Sequence, residues 1–372
     1  MKFLSALFFL IGLLGPPSGY ATQIVVGQVA PLTGRDANQG LAYGVGMQLL
    51  FSQVNKSGGV NGHTFSLVRK DDAGRPAETL SITAQLLTEE NPLVLAGYFG
   101  NLNVDGLLSS GILEKNRIAV VGYRVAEVRA ENPLLFNARA GLADEIKKIT
   151  NHLGIVSVTR LGLLYEDGSR APALLAVADE AAKNANLTIM VKATYPAGTT
   201  RISQAVDAFV KTPPQAILVI ASGAAAAGFI EQYRSAGGSA QLLLTSSADI
   251  EQLAKRLGED QMTGVSIAQV TPSPYKVSGR LSKEFSDTVA RSKNLEVPVS
   301  YAMIEGYIAA KVIVEAVRRL KGKPTREGMI VALSSIDNYD LGGYVVGFKP
   351  GALAGSKFVE LSIITRGGKV RQ

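Results

Sequence analysis

The run Gln-Ile-Val-Val-Gly-Gln-Val at residues 23–29 is rich in β-branched side chains and predicts a buried strand. A helical pattern of apolar residues follows at 40–54, and a second short apolar run at 65–68 predicts another strand. A strand, a helix and a strand in succession are typical of a parallel sheet that helices cover on both faces. These residues therefore predict an α/β fold.

The same alternation continues along the chain. Further strands are predicted at residues 93–96, 118–121, 161–165, 187–191, 216–220 and 242–244, and further helices at 81–88, 106–114, 173–184, 202–210 and 224–236. A chain of 372 residues is too long for one such sheet and suits two lobes of ordinary size. We therefore expect two α/β lobes, each with its own sheet.

Residues 1–21 have the order of features that is typical of a secretory signal peptide. Lys2 precedes an apolar run at residues 3–14, which is too short to span a bilayer, and a glycine and two prolines end the run before Ala21. A buried N-terminal strand or helix is the alternative. We expect cleavage after Ala21 and, because no cysteine stands at the cleavage site to carry a lipid, a mature chain free in the periplasm.

The composition excludes several kinds of chemistry. With no cysteine and only two histidines, His63 and His152, the chain has no disulfide, no thiol nucleophile and little scope for a zinc site or for His-based catalysis. The net charge of +7 comes from scattered lysines and arginines, so we expect no nucleic-acid partner. The excess of positive charge favours an anionic ligand.

The sequence contains no recognisable catalytic motif: it lacks a Gly-x-Ser-x-Gly elbow and a Gly-x-x-x-x-Gly-Lys phosphate loop. Gly44 and Gly46 lack the third glycine of a dinucleotide site and lie inside the predicted helix, which indicates close packing. Asp71 and Asp72 are either helix caps or a metal-binding pair, and the lack of further ligands nearby favours caps. We therefore expect no enzyme, no metal and no cofactor.

The longer motifs occur in a specific order. They lie at residues 30–34 (Ala-Pro-Leu-Thr-Gly), 54–62 (Val-Asn-Lys-Ser-Gly-Gly-Val-Asn-Gly), 70–76 (Lys-Asp-Asp-Ala-Gly-Arg-Pro), 136–139, 230–237, 305–310, 339–343 and 358–361. This order resembles the leucine/isoleucine/valine-binding protein family, the type I periplasmic solute-binding proteins of ABC importers. The resemblance covers essentially the whole chain after residue 21.

The resemblance implies two Rossmann-like lobes with parallel-rich sheets, joined by a three-strand hinge, with the ligand in the cleft between them. One lobe would take residues 22–137 plus 271–349, and the other would take 138–270 plus 350–372. Hinge closure would bury the ligand. The strand pattern supports the same place, because ligands of parallel sheets bind outside the carboxyl ends of the strands.

The resemblance also implies which residues line the cleft. The first lobe would contribute the loops at 97–103 and 122–126, with Asn101 and Asn103 where the family has hydroxyls that grip a carboxylate. Asn101 is alternatively only a helix N-cap. Arg124 departs from the small residues of the family and is either a partner for a ligand carboxylate or a surface arginine. The implied ligand-binding residues of this lobe are Tyr98, Phe99, Gly100, Asn101, Asn103, Tyr123 and Arg124.

In the second lobe, several positions depart from the family pattern. Arg170 replaces an aromatic ring, Ser222 replaces another, and Ser246 stands where the family often has the acid that holds an ammonium group, with Asp249 three residues later. Gln269 or Tyr301 would fill part of the gap. Because a buried ammonium without an acid is costly, these departures favour a ligand with a carboxylate and no amine over a branched-chain amino acid.

Together these features predict a periplasmic substrate-binding component of an ABC importer. Its partners would be a small-molecule ligand, either an amino acid or an organic acid, and a permease in the inner membrane, and we expect a monomer. A ligand-sensing receptor domain of the same fold is the main alternative. A secreted hydrolase is a weaker one, because no nucleophile and base can be named.

Overall fold

A computed structural model describes residues 22–126, 132–348, 354–365 and 370–371. The predicted signal peptide at 1–21 and the predicted change of lobe at 349–350 therefore lie outside the described residues.

The strands alternate with helices for most of the chain. The strands are β1 (Gln23–Ala30), β2 (Thr64–Asp71), β3 (Val94–Phe99), β4 (Val120–Arg124), β5 (Leu135–Phe136), β6 (Arg160–Glu166), β7 (Thr188–Tyr195), β8 (Ala216–Ile220), β9 (Gln241–Leu244), β10 (Ser266–Gln269), β11 (Tyr339–Asp340), β12 (Val345–Val346), β13 (Glu360–Ile364) and β14 (Val370–Arg371).

The helices connect these strands. They are α1 (Ala37–Lys56), α2 (Pro76–Glu89), α3 (Asn101–Ser109), α4 (Ile112–Asn116), α5 (Leu142–Ile155), α6 (Ala171–Asn184), α7 (Ser203–Lys211), α8 (Gly223–Ser235), α9 (Ile250–Arg256), α10 (Glu259–Met262), α11 (Arg280–Arg291), α12 (Tyr301–Arg319) and α13 (Arg326–Ser334), with a 3₁₀ turn at Ser246–Ala248.

The strands form two main sheets. The first has the order β2-β1-β3-β4-β5 and is parallel throughout. The second has the order β14-β13-β10-β9-β8-β6-β7, in which the five strands from β6 to β10 are parallel and β13 and β14 are antiparallel. The prediction of two parallel-rich sheets is confirmed.

Helices cover both faces of each sheet. Val26 packs with α1 and α12 on one face of the first sheet, and Val29 packs with α2 and α3 on the other. Leu164 and Leu163 divide the second sheet in the same way, toward α8 and α5 respectively. We call the first sheet with α1–α4 and α11–α13 the first lobe, and the second sheet with α5–α10 the second lobe.

The contact between α1 and α12 depends on glycine. A Cβ on Gly46 would overlap the carbonyl oxygen of Met303, and a Cβ on Gly306 would overlap the carbonyl oxygen of Tyr43. Only glycine lets the two backbones approach so closely. The prediction that the glycines inside the first helix serve close packing is therefore confirmed.

Most predicted elements agree with the observed ones at their centres and differ at their ends. The observed helix α1 extends beyond the predicted helix at 40–54 at both ends, and the predicted strand at 216–220 coincides with β8. The single helix predicted at 106–114 is wrong, because α3 ends at Ser109 and α4 begins at Ile112. Gly111 between them has a φ of 66°, a left-handed conformation that interrupts a right-handed helix.

The chain crosses between the lobes after β5 and again after β10. The Tyr344 hydroxyl lies 2.9 Å from the carbonyl oxygen of Ala138 and 3.0 Å from that of Val270, one on each crossing. The Gly355 amide donates to the Asn137 carbonyl at 2.8 Å. These contacts tie the crossing segments together, as a hinge requires. The exact residues at which each lobe begins and ends stay a prediction.

The carboxylates of Asp71 and Asp72 shape the turn before α2. Asp71 accepts from the amides of Leu32 and Ala73, each at 2.8 Å, and Asp72 accepts from the Gly74 amide at 2.8 Å. The residue at the N-cap of α2 is Arg75, whose side chain makes no capping bond, so the prediction that these aspartates cap the helix is wrong in detail. Their oxygens bind amides of this turn, and also the Leu32 amide after β1 in the case of Asp71 and the Thr79 hydroxyl of α2 in the case of Asp72.

No group of three or more His, Cys, Asp and Glu side chains in the part of the chain that the structure describes is placed to hold a metal ion. Among the described helices, none is both long and apolar enough to cross a bilayer.

Candidate ligand site

A cavity of about 380 Å³ lies between the two lobes. It opens at the carboxyl ends of β3 and β4 on one side and of β6 on the other, where ligands of parallel sheets are expected. Its lining residues are Arg35, Asp36, Ala73, Gly74, Arg75, Pro76, Phe99, Gly100, Asn101, Leu102, Asn103, Arg124, Val125 and Ala126 from the first lobe and Glu166, Gly198, Thr199, Ser222, Ala224 and Ser247 from the second.

The structure brings about half of the predicted ligand-binding residues to this cavity. Those that line it are Phe99, Gly100, Asn101, Asn103, Arg124 and Ser222. The other predicted residues lie elsewhere in the two lobes, namely Tyr98, Tyr123, Arg170, Ser246, Asp249, Gln269 and Tyr301.

Arg124, the last residue of β4, is 4% exposed, so the alternative of a surface arginine is wrong. Its Nη2 lies 3.5 Å from Oε1 of Glu305 and donates to the carbonyl oxygen of Ser246 at 3.3 Å. Its Nε and Nη1 are buried and have no hydrogen-bond partner among the residues that the structure describes. A guanidinium with two unused donor nitrogens beside a cavity is suited to a carboxylate.

A network of buried charges lies behind Arg124. Arg139 contacts Glu145 of α5 at 3.1 Å and Glu305 of α12 at 3.4 Å, so it bridges the two lobes. Ser246 donates from its amide to Glu145 at 2.7 Å and from its hydroxyl at 3.0 Å, and the hydroxyl also contacts Arg139. Burial raises the pKa of Glu145, and the Arg139 charge and the Ser246 bonds oppose that rise. Ser246 is therefore committed to this network.

Asn101 connects the two lobes at the cavity. Its Nδ2 donates to Oε2 of Glu166 at 3.1 Å, and its Oδ1 accepts from the Ala126 amide at 2.8 Å. The N-cap of α3 is Gly100, so the alternative role of Asn101 as the N-cap is wrong. Glu166 also accepts from the Gly198 amide at 2.7 Å, and burial raises its pKa against the effect of these bonds.

Asn103 lines the cavity but its amide is held from behind. The Nδ2 atom donates to Oγ1 of Thr79 at 2.6 Å, and that hydroxyl donates to Asp72 at 2.6 Å. The neighbouring predicted residue Tyr98 is 1% exposed, and its hydroxyl bonds to Thr83 at 2.8 Å. Tyr123 is likewise buried in the core between the first sheet and its helices.

Arg170 lies beside a smaller depression of about 30 Å³ next to the main cavity. Its Nη2 contacts Oδ1 of Asp105 on α3 at 3.2 Å, which is an ion pair between the lobes. This position suits a contact that holds the lobes together.

The remaining predicted residues are buried in and around the second lobe. Asp249 accepts from the Gln252 amide at 3.0 Å and so caps α9. Gln269 is 3% exposed within β10. Tyr301 begins α12, and its ring packs edge to face on Tyr275. None of these side chains is part of the cavity lining that the structure describes.

Asp36 and Glu166 were not predicted, and they place acids in the cavity. Asp36 occupies the N-cap position of α1, and its Oδ1 is buried without a partner among the described residues. Burial raises the pKa of Asp36, while the charges of Arg35 and Arg124 lower it. The sequence carried a usable pattern, because aspartate before a helix is common, but the predicted helix began three residues too late to place it there.

Comparison with known proteins supports the resemblance seen in the sequence. A family model described as periplasmic binding protein matches residues 23–353. Leu/Ile/Val-binding protein homolog 7 from Brucella melitensis biotype 1 is 23% identical over 340 residues, which are 87% of this chain and 84% of that protein.

Solved structures are similar over nearly the whole chain. A substrate-binding periplasmic protein from Ralstonia solanacearum is 35% identical with a TM-score of 0.86, over 93% of this chain and 99% of that chain. An extracellular ligand-binding receptor from Verminephrobacter eiseniae is 25% identical with a TM-score of 0.86, over 94% and 100%. A fatty acid ABC transporter substrate-binding protein from Thermomonospora curvata, 22% identical over 94% and 91%, has the same fold with a TM-score of 0.79.

The two lobes, the cavity between them and these matches agree. They confirm the predicted type I fold and the predicted resemblance to the Leu/Ile/Val-binding proteins. The chain belongs to the periplasmic binding protein family.

Proposed function

We propose that this protein is the substrate-binding component of an ABC importer. It captures a small organic solute between its lobes, closes over it by bending at the crossing segments, and delivers it to a permease in the inner membrane. Family membership supports the binding role, and the Thermomonospora curvata structure, which has the same fold, is of an ABC transporter substrate-binding protein.

The solute is an amino acid-like or carboxylate-bearing molecule. The single observation that carries this is Arg124, which lines the cavity, is buried, and keeps Nε and Nη1 without a partner among the described residues. A buried donor without a partner costs about 1–3 kcal/mol, so a ligand carboxylate that takes these donors recovers that cost. The cavity of about 380 Å³ is within the range of small-molecule sites.

Residues 1–21 are removed as a signal peptide, and the protein acts in the periplasm as a monomer. It is not an enzyme, since it makes and breaks no covalent bond in the solute. The first lobe takes residues 22–137 and 271–349, and the second takes 138–270 and 350–372. Of the predicted residues, Arg124, Asn101, Asn103, Phe99 and Ser222 contact the solute.

The test is a panel of ligands on the purified protein. We expect leucine, benzoate or glutarate, or a close relative of one of them, to raise the unfolding temperature and to give a calorimetric Kd near the micromolar range. No stabilisation by any member of a broad panel of amino acids and organic acids would contradict the proposal.

Replacing Arg124 tests the anchor. Arg124→Ala should abolish binding of the carboxylate ligand, and Arg124→Lys should retain part of it, with native-like circular dichroism in both variants. The matched control is Arg280→Ala, because Arg280 is an exposed arginine of α11 that pairs with Asp340 at 3.8 Å, on the surface. An unchanged affinity of Arg124→Ala for the ligand would show that Arg124 does not bind the ligand carboxylate.

A further inference from the structure

Asp36 stands where an aspartate normally caps a helix, yet it does not cap one. It precedes the 20 residues of α1, and its side chain makes no hydrogen bond to the helix amides. The amides of Gln39 and Gly40 are instead taken by the main-chain carbonyl of Asp36, at 3.0 and 3.3 Å. The carboxylate is therefore left without the partners that an N-cap residue usually finds.

The same carboxylate is part of the cavity wall. Asp36 lines the cavity together with Arg124, and its Oδ1 is buried with no partner in the described part of the chain. A buried acceptor without a partner is costly, and so are the buried Nε and Nη1 of Arg124, which have no partner among the described residues although Nη2 does. Buried atoms without partners, on two groups of opposite charge in one cavity, point to a ligand that satisfies both.

The charge balance around the cavity supports a ligand with a positive group. Arg124 and Arg139 are already matched by Glu305 and Glu145 through direct contacts. Asp36 has no such direct contact in the described part of the chain: the charges of the exposed Arg35 and of Arg124 act on it, and the carboxylate of Asp249 opposes them. A ligand with a carboxylate alone would add negative charge beside Asp36, whereas a protonated nitrogen on the same ligand would offset it.

We propose that Asp36 is a specificity-determining residue that accepts a hydrogen bond from a protonated nitrogen of the ligand, so that the protein selects solutes carrying both this nitrogen and the carboxylate that binds Arg124. This inference rests on the proposed solute-binding function and narrows its ligand to zwitterions. The acid comes from the N-terminus of α1 in the first lobe, and it supplies the negative charge that Ser246 does not.

The test uses matched ligand pairs that differ only in the amine. Leucine is compared with 4-methylpentanoate, phenylalanine with 3-phenylpropanoate, and glutamate with glutarate, by calorimetry on the whole mature protein. In the native protein the amine-bearing member of the pair that binds should be favoured by about tenfold or more, the value of a charge-assisted bond. Asp36→Asn should remove that preference.

The controls separate this inference from the function on which it rests. Asp179→Asn alters a surface aspartate that pairs with Lys192, and it should keep the preference. Equal or tighter binding of the amine-free members by the native protein, or an unchanged preference in Asp36→Asn, would overturn the role of Asp36 while solute binding stands. Binding of no member of any pair would overturn the proposed ligand class and this inference with it.

Because Asp36 makes no capping bond, Asp36→Asn should fold, with an unfolding temperature at or above that of the native protein. A cooperative unfolding transition of the variant, measured without ligand, checks this before the binding comparison. A variant that gained stability but kept its full preference for the amine would count against the proposal.

Discussion

At the scale of single residues, the molecule concentrates buried charge beside the cavity and at the start of α12. Glu251 of α9 accepts from the Tyr301 amide at 2.8 Å and from the Tyr275 hydroxyl at 2.6 Å. Burial and the carboxylate of Asp249 raise the pKa of Glu251 from 4.5 to about 8. A carboxyl group with such a pKa takes up a proton when the chain folds at neutral pH.

Glu251→Gln should therefore change the pH dependence of stability. Between pH 4.5 and about 8 the folded chain holds a proton on Glu251 that the unfolded chain has lost. The contribution of Glu251 to the free energy of unfolding is therefore fully present below pH 4.5 and is lost as the pH rises to about 8. The slope is at most about 1.4 kcal/mol per pH unit. Glutamine keeps the acceptor oxygen and does not titrate.

The measurement is urea unfolding of both proteins from pH 5 to pH 8.5. We expect the native protein to lose stability with rising pH more steeply than Glu251→Gln, with the curves closest at pH 5. Parallel curves over the whole range would show that Glu251 titrates normally.

Arg124 was predicted from the sequence as a ligand-binding residue, but its burial and its ion pair with Glu305 were not. An arginine after an apolar strand is equally compatible with the surface and with a buried ion pair, because its partner Glu305 lies far away in the chain. Ser246 was predicted to face the ligand, but its amide and hydroxyl are used by Glu145, another distant residue. Side-chain partners that are far apart in the chain have no local pattern, so this part of the site required the structure.

At the scale of secondary structure, α1 and α12 pack with their backbones in close contact. This contact places Gly46 against the backbone of Met303 and Gly306 against the backbone of Tyr43. Asp36, which lines the cavity, directly precedes α1. Glu305, which contacts Arg124, lies in the first turns of α12. The glycine contact thus helps to position the two acids that flank Arg124.

Gly46→Ala should destabilise the protein by about 1–3 kcal/mol or more, because the added methyl group overlaps a main-chain oxygen that cannot move aside without shifting α12. Gly106→Ala in α3 is the matched control. A Cβ on Gly106 meets no atom within 4 Å, so this change should be neutral or stabilise by about 0.5–1 kcal/mol. Equal free energies of unfolding for the two variants, measured with urea, would contradict this account of the contact.

The elements themselves were largely predictable. β-branched runs such as β8 are buried along their whole length and have no competing helical period. The error at residues 106–114 arose because an apolar period continues across Gly111, while the left-handed conformation of that residue ends the helix. The periodic pattern of apolar residues does not report the backbone conformation of a single residue such as Gly111.

At the scale of the whole molecule, direct contacts between the lobes surround the cavity. Asn101 bonds to Glu166 at 3.1 Å, Arg170 contacts Asp105 at 3.2 Å, and Gln252 donates to the carbonyl oxygen of Arg35 at 3.2 Å. These contacts hold the two lobes together around the cavity. Any opening that admits a solute has to break them.

Arg170→Ala should weaken binding of every ligand by the same small factor. Arg170 and Asp105 are partly exposed, and such pairs contribute about 1 kcal/mol or less, which corresponds to a loss of about fivefold at most. The loss should lie in faster dissociation, because the closed form is less stable, and the order of ligand preference should stay the same.

Stopped-flow dissociation rates for two different ligands check this prediction. Lys192→Ala, which breaks the surface pair with Asp179 inside the second lobe, is the control and should leave both rates unchanged. A change in the order of preference in Arg170→Ala would instead show that Arg170 contacts the solute.

The packing of α12 on α1 also determines when the first sheet is covered during synthesis. Strands β6 to β10 of the second lobe are made in one uninterrupted stretch, whereas the face of the first sheet that carries α1 lacks its cover until residues 301–319 have left the ribosome. Contacts between such distant segments form slowly and leave apolar surface uncovered in the meantime. The first sheet is therefore synthesised early but covered late, after the parallel strands β6 to β10 of the second lobe have been made.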